Sequence, residues 1–297
     1  MQSEKMNPCP VCLSEDTTID KSATAILDLL NNIDVYVYKC KTCNSIYLWP
    51  YISMVELSKL YESSYFTGEQ SNLNVPSTGS DYEVEFAENR IEKFKSTIEL
   101  LLSFKPNAKN ILDIGAATGK FLSIAREYKL DVFGVEYSNY ASQEAKDKYG
   151  FNFFVGDLEN FQSDEKFDLI HLNHVFEHLV DPNASIRKID SLLSDDGIIY
   201  IEVPFQFNIV ERIKYKLFNS HKKFDVFSVH HPIFYRPNSL KKIFRNHGYR
   251  CRYIKLFDSK RYPSVTFRDK TKKLIWGLLS IFNQGLIIEA VFYKDKK

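Results

Sequence analysis

Two carboxylates and two glycines carry the first chemical signal in this chain. Asp113 stands at the end of the apolar run Ile111, Leu112 and Ile114, and Gly115 and Gly119 follow it. Gly115 opens a tight turn, and Gly119 starts a helix whose apolar residues Phe121, Leu122 and Ala125 suit one packed face. Strand, glycine turn and helix together are the entry to a doubly wound α/β fold, whose ligands bind beyond the carboxyl ends of the strands. A dinucleotide site would read G-x-G-x-x-G, because a pyrophosphate needs bare backbone at a helix start. Here position 117 is alanine, and Asp113 would repel a phosphate but attract an ammonium group. Glu136 ends the next apolar run, Val132–Glu136, seventeen positions after Gly119. That is near the ~20-residue spacing at which such folds place a carboxylate on ribose hydroxyls. Each feature alone also fits a plain strand-to-turn junction with a solvated Glu; together they favour a binding crevice.

His174-Val-Phe-Glu-His178 reads H-x-x-E-H, the inverted zinc-protease pattern. Histidines at i and i+4 share one helix face, so metal binding is physically possible. The context argues against protease chemistry. The motif follows a strand directly, on the edge where the crevice ligand should lie, and sequence assigns no third ligand.

Four cysteines form a separate signal. Cys9-Pro-Val-Cys12 and Cys40-Lys-Thr-Cys43 are paired knuckles whose thiolates suit a tetrahedral zinc ion. The 27 residues between them exceed the usual ~15–20, so an inserted hairpin or helix must span the gap. Ala23–Asn31 is the candidate helix, and Val35–Tyr38 the strand entering the second knuckle. Disulfides are the alternative. The polar first residues are not followed by an apolar run, which predicts a cytoplasmic chain with reduced thiols and favours metal. A closed four-cysteine site is structural, because no coordination position stays open. Cys251 reads as a buried small apolar residue.

These residues need elements to hold them. Strands are expected at Ile111–Ile114, Val132–Glu136, Phe151–Val155, Phe167–Leu172, Gly197–Val203, Tyr249–Leu256 and Leu286–Tyr293. Helices are expected at Ser138–Tyr149, Asn183–Leu193 and Pro237–Asn246. Asp81 caps a further helix running to about Ser103, with Ile91, Phe94, Ile98, Leu101 and Leu102 on one face. Regular alternation of strand and helix predicts a parallel sheet. The 297 residues, 44% of them hydrophobic, are enough to bury a full core. We divide the chain into a ribbon with a connecting helix (1–66), a polar linker (67–80) and an α/β domain (81–297).

The loop Asp113–Gly119, with Glu136 and the seven strands in this order, resembles the class I methyltransferases across residues 81–297. That resemblance implies a Rossmann-like seven-stranded sheet and S-adenosylmethionine as cofactor. It implies that Asp113, Gly115, Gly119, Glu136 and Asn173 contact the cofactor, that Asp157 meets the adenine amino group and that Leu158 lies against the ring. Val175-Phe-Glu-His-Leu-Val-Asp-Pro182 resembles a segment following the fourth strand of small-molecule methyltransferases. His231-Pro-Ile-Phe-Tyr-Arg-Pro-Asn-Ser-Leu240 resembles the family's histidine, aromatic pair and Pro-x-Ser-Leu helix start. If the acceptor is a hydroxyl, a base must take its proton, and histidine suits that task near neutral pH. His174, His178 and His231 are the candidates; each also reads as a structural hydrogen-bonding group.

Tyr38–Pro50, with Leu57–Tyr61 and Tyr65-Phe66, resembles the zinc ribbon and connecting helix before the methyltransferase domain of many bacterial enzymes. Those are often associated with sugar and surface-polysaccharide modification. Asn44 stands where such ribbons have glycine; Asn tolerates a left-handed backbone. Sugar C-methyltransferases carry a further C-terminal domain, and this chain ends too soon for it, so the expectation is O-methylation of a sugar, nucleotide-sugar or glycan precursor.

Net charge is +1, from 39 basic and 38 acidic residues, which argues against a dedicated nucleic-acid binder. Basic residues cluster at Arg212, Lys214, Lys216, Lys222 and Lys223. A second cluster comprises Lys260, Arg261, Arg268, Lys270, Lys272 and Lys273. Both read either as diphosphate contacts or as solvated faces. Leu274–Phe282 is too short for the ~20 residues that span a bilayer and reads as a core helix. Two rival functions stay open: an RNA methyltransferase using the ribbon for RNA contact, and a catalytically inactive module that binds cofactor or partner.

Overall fold

The computed structural model describes residues 8–19, 26–27, 34–51, 87–205, 231–257 and 285–295. Its centre is a seven-stranded sheet in the order β11-β12-β9-β8-β5-β6-β7. The parallel part comprises β5 (Asn110–Ile114), β6 (Asp131–Glu136), β7 (Phe154–Val155), β8 (Phe167–Asn173) and β9 (Leu193–Pro204). β12 (Ile287–Lys294) joins β9 antiparallel, and β11 (Tyr249–Phe257) joins β12 the same way. The inner strands read as continuous apolar runs because helices cover both their faces. Strand order reverses between β5 and β8, and a crevice opens at such a switch point.

One face of the sheet is covered by α1 (Ala87–Phe104), α2 (Lys120–Glu127) and α3 (Asn139–Tyr149), which bury Ile98, Leu101, Phe121, Leu122, Ala125 and Ala145 against Ile111, Leu169 and Tyr200. The stripe expected on α1 therefore packs on the sheet. The other face takes α4 (Pro182–Leu192) and α5 (Pro237–Asn246) through Ile186, Ile189, Leu240, Ile243 and Phe244. Local chemistry sets the helix ends. Ser138 Oγ accepts from the Ala141 N–H at 3.2 Å, Asp181 accepts from the Ala184 N–H at 3.0 Å, and Gly150 closes α3 in the left-handed region.

The N-terminal ribbon contains β1 (Thr17–Ile19), β2 (Ile26–Leu27), β3 (Asp34–Cys40) and β4 (Ile46–Trp49). Its last strand comes from far along the chain: β10 (Ile233–Phe234) pairs antiparallel with β4. Cys9, Val11, Cys40, Cys43 and Tyr47 share one apolar cluster with Leu112, Ile170 and Leu240 of the α/β layers. The ribbon is thus built onto the sheet's second face.

Two expectations differ from the structure. Ala23–Asn31 is not a continuous helix, because Ile26–Leu27 is a strand paired with Val35 and Asp34. The open edge of β3 satisfies that backbone better than an isolated helical turn would. The third strand is also shorter than Phe151–Val155. Phe151 and Phe153 pack under Gly119, leaving Phe154–Val155 to pair with β6. Outside the described residues lie Leu57–Tyr61, Tyr65-Phe66, the linker 67–80, Asp81, both basic clusters and Leu274–Phe282. Among the described residues no helix is long and apolar enough to cross a membrane.

Candidate functional site

The turn after β5 is built for close approach. Gly115 sits at φ +78°, and a Cβ there would lie 2.3 Å from Val175 Cγ2. Conformation and space both demand glycine. Gly119 sits at φ +79°, with Phe151, Ala145 and Phe153 at 3.0–3.2 Å from where its Cβ would be. Ala117 is also left-handed, at φ 47°. Its N–H donates to Glu136 Oε2 at 2.7 Å, while Ser138 N–H donates to Oε1 at 2.8 Å. Glu136 therefore fixes the turn. Burial pushes its carboxyl up, and those backbone N–H groups pull it back only in part.

Asp113 is 3% exposed. Its Oδ1 lies 2.7 Å from Nδ1 of His171, its neighbour in register on β8. Burial raises its carboxyl pKa, against the opposing pull of His171. His171 itself is stacked between Phe121, at a ring separation of 3.8 Å, and Tyr200, at 5.0 Å. The partner the structure gives Asp113 is thus the buried His171 imidazole. Asp157 is half-buried, its carboxyl raised by burial, and its side chain makes no capping hydrogen bond with the short turn Leu158–Asn160. Leu158 is buried, and Asn173 is half-buried at the tip of β8.

Beyond Asn173 the chain reverses sharply. His174 adopts φ 55°, its N–H donates to the Glu202 carbonyl at 2.9 Å, and Phe176–His178 form a single 3-10 turn. The H-x-x-E-H residues are not on one α-helix face, because the left-handed His174 breaks any helical path at its first residue. The histidines gather round Glu177 instead. His174 Nδ1 is 3.3 Å and His178 Nε2 is 4.0 Å from Glu177 Oε1, and Glu177 is 1% exposed. The His231 ring meets the His178 ring edge-on at 4.7 Å. All three histidines proposed from sequence thus converge. Phe176 anchors the turn by stacking on Tyr235 at 5.1 Å and touching Phe244 at 5.4 Å.

Sequence reasoning gave no role to three supporting charges. Glu202 Oε1 lies 3.7 Å from His174 Nε2. Lys93 of α1 reaches Glu202 at 3.3 Å and Glu289 at 2.5 Å. The Tyr200 hydroxyl lies 2.8 Å from Glu202 Oε2 and 2.7 Å from Glu289 Oε1, with one proton to donate between them, and burial with those carboxylates holds its hydroxyl well above the usual range. The only sequence signal for this network is a charged residue inside an apolar strand.

In the ribbon, Cys9 Sγ is 3.6 Å from Cys43 Sγ, and Cys12 Sγ is 3.6 Å from Cys40 Sγ. A disulfide would need about 2.05 Å. Tetrahedral zinc with bonds of about 2.3 Å sets its sulfurs roughly 3.8 Å apart, so the four residues fit that ion. The thiols also compete as neutral groups. The hydrogen bond with Cys9, and then Ser45, brings the Cys43 thiol down to about 5, while the Cys9 thiol is driven far up. A cation would relieve that competition.

Residues 86–254, more than half of the chain, match a family model described as a methyltransferase domain. Malonyl-[acyl-carrier protein] O-methyltransferase 2 of Ilyobacter polytropus is 32% identical over 98 residues, covering 30% of this chain and 37% of that protein. C-methyltransferase NovU of Streptomyces niveus is 27% identical over 148 residues, covering 47% and 32%. The chain thus spans well under half the length of these curated relatives. A SAM dependent methyltransferase from Archaeoglobus fulgidus superposes with a TM-score of 0.50 over 72% of this chain and 100% of its own, at 20% identity. That likeness is one of fold.

Proposed function

The chain belongs to the methyltransferase-domain family; from that premise we propose that it uses S-adenosylmethionine to methylate a hydroxyl oxygen of a sugar, nucleotide-sugar or polysaccharide precursor in the cytoplasm. In this reading the turn Gly115–Gly119 takes the amino-acid end of the cofactor, with Asp113 behind it. Glu136 accepts from the ribose hydroxyls, Asp157 from the adenine amino group, and Leu158 and Asn173 complete the pocket. The Cys9, Cys12, Cys40 and Cys43 cluster holds structural zinc. His174, between Glu177 and Glu202, takes the acceptor proton.

One observation carries the reading. Val175, which would strike a Cβ on Gly115 at 2.3 Å, lies between His174 and the turn bearing His178. That contact supports the reading, because the segment carrying the histidines then approaches the turn assigned to the cofactor, and methyl transfer needs acceptor and methyl held close together. The experiment combines labelled S-adenosylmethionine with mixed nucleotide sugars and follows S-adenosylhomocysteine. Turnover with a sugar hydroxyl supports the proposal. Gly115→Asp should abolish cofactor binding by filling the turn. Turnover confined to RNA, or binding without any turnover, would replace the sugar reading with one of its rivals.

A further inference from the structure

Glu177, His178 and His231 each bring one ligand-capable atom within 4.8 Å of the other two. Nothing in methyl transfer by His174 alone requires this. Glu177 is a 1%-exposed carboxylate, and a buried carboxylate is expensive unless a positive group stands by it. Its contacts include the imidazoles of His174 at 3.3 Å and His178 at 4.0 Å. Two imidazole nitrogens and one carboxylate oxygen are a first-row transition-metal donor set, and three protein ligands leave positions open for substrate. Bonds of about 2.0–2.2 Å place adjacent ligands roughly 3 Å apart, so side-chain rotation has only a short distance to close. The supports are rigid. Phe176 pins the turn carrying Glu177 and His178. β10, two residues past His231, is paired with β4 of the ribbon.

We propose that Glu177, His178 and His231 bind one divalent transition-metal ion, which takes an oxygen of the methyl acceptor. The ion's purpose rests on the O-methylation reading, and it sharpens the substrate class. The acceptor presents two neighbouring oxygens, such as a vicinal diol or a hydroxy acid, so that one oxygen anchors while the other reacts. The reacting oxygen is lowered in pKa by the ion. Its lone pair forms the new C–O bond as the methyl–sulfur bond breaks. The bonding pair stays on sulfur, which becomes a neutral thioether, and the hydroxyl proton passes to His174.

The test uses the full chain with its thiolate site loaded. Mn2+ is a fitting probe, because thiolates select softer ions. Titrated Mn2+ should lose its free electron-paramagnetic signal at one ion per chain. Glu177→Gln and His231→Gln, both near-isosteric, should each weaken this by more than the roughly 10–100-fold that a supporting group is worth. S-adenosylmethionine calorimetry on the same variants confirms that they are folded. Mn2+ and Co2+ staying free with wild type, or binding both variants as tightly, would overturn the site. Full methyl transfer after a weak chelator has removed everything but zinc would overturn the role given to the ion and leave O-methylation standing. Metal binding without transfer to any sugar hydroxyl would support the site and end the sugar reading instead.

Discussion

Among the described residues two places gather atoms that could ligate a metal, and they are built in opposite ways. The cysteine cluster supplies four sulfurs with pair distances of 3.6 Å, and Cys9 and Cys40 are fully buried. The Glu177–His178–His231 cluster supplies nitrogen and oxygen, is looser at up to 4.8 Å, and leaves the His178 side chain 17% exposed. A full sulfur shell has nothing left to offer a substrate, whereas an incomplete nitrogen and oxygen shell has open positions. The first suits holding a fold together and the second suits chemistry. They are physically joined, because β4 runs from the second knuckle and pairs with β10, two residues past His231.

The largest effect should come from breaking the sulfur site. Structural zinc in small domains is worth on the order of 10 kcal/mol, and the ribbon's own core is only the small cluster Val35, Val37, Ile46, Leu48 and Phe234. Cys40→Ser should take zinc from one ion per chain to none by elemental analysis and melt the ribbon strands. With β4 lost, β10 is unpaired, so Mn2+ affinity at the histidines should fall as well. The helix after the glycine turn packs on the sheet's opposite face through Phe121, Leu122 and Ala125, so cofactor affinity should stay within a few-fold. The reverse experiment is asymmetric: Glu177→Gln should leave zinc content untouched. Mn2+ affinity that survives in zinc-free Cys40→Ser would break the link between the two sites.

A smaller effect should come from the polar tie beneath the first knuckle. Asn183 of α4 donates through Nδ2 to the Pro10 carbonyl at 2.7 Å, and its Oδ1 faces His247 Nε2 at 2.9 Å. With Oδ1 accepting, Nε2 must carry the proton, and burial lowers the His247 pKa so that the neutral tautomer suits the pair. Asn183→Ala strands a buried carbonyl and an imidazole N–H together, a loss of about 1–3 kcal/mol. Asn183→Asp keeps the histidine half and loses the Pro10 half, so it should fall between. Denaturant melts of the zinc-loaded protein check the order. Equal stability of all three forms would mean that the apolar cluster alone seats the ribbon.

The same contrast explains what the sequence made legible. The sheet was readable because its inner strands are apolar runs separated by amphipathic helices, a pattern that depends on near neighbours. The knuckles were readable because cysteines three apart have few other uses. The Glu177 cluster was half readable. His174, His178 and His231 are candidates from the sequence, but as proton acceptors one by one; the left-handed turn at His174 that groups them is not encoded in the H-x-x-E-H spacing. The third ligand lies 53 positions past His178, and only the β4–β10 pairing brings it in. Asp113 shows the same limit. Its spacing marked the loop, while its partner His171 is set by strand register, which a short motif does not encode. Lys93 and Glu289 are 196 residues apart and meet only through packing of α1 on the sheet.

The smallest effect compares the two knuckles with each other. After each Cys-x-x-Cys the next residue turns left-handed, at φ 59° for both Leu13 and Asn44. Each backbone N–H closes the loop on the first cysteine's carbonyl, Leu13 to Cys9 at 2.8 Å and Asn44 to Cys40 at 3.0 Å. Asn accepts that conformation readily, but a leucine there is strained by about 1 kcal/mol. Leu13 is also 66% exposed, so its side chain gains little from packing. Leu13→Asn copies the second knuckle's solution into the first and should stabilise the zinc-loaded protein by up to ~1 kcal/mol. Asn44→Leu should destabilise it by a similar amount. Because the change acts on the backbone of the sulfur site alone, thermal melts should move while Mn2+ affinity at Glu177, His178 and His231 stays fixed. A gain in Mn2+ affinity with Leu13→Asn would mean that strain in the first knuckle already reaches the histidines, and the two sites would then be coupled more tightly than the β4–β10 pairing alone allows.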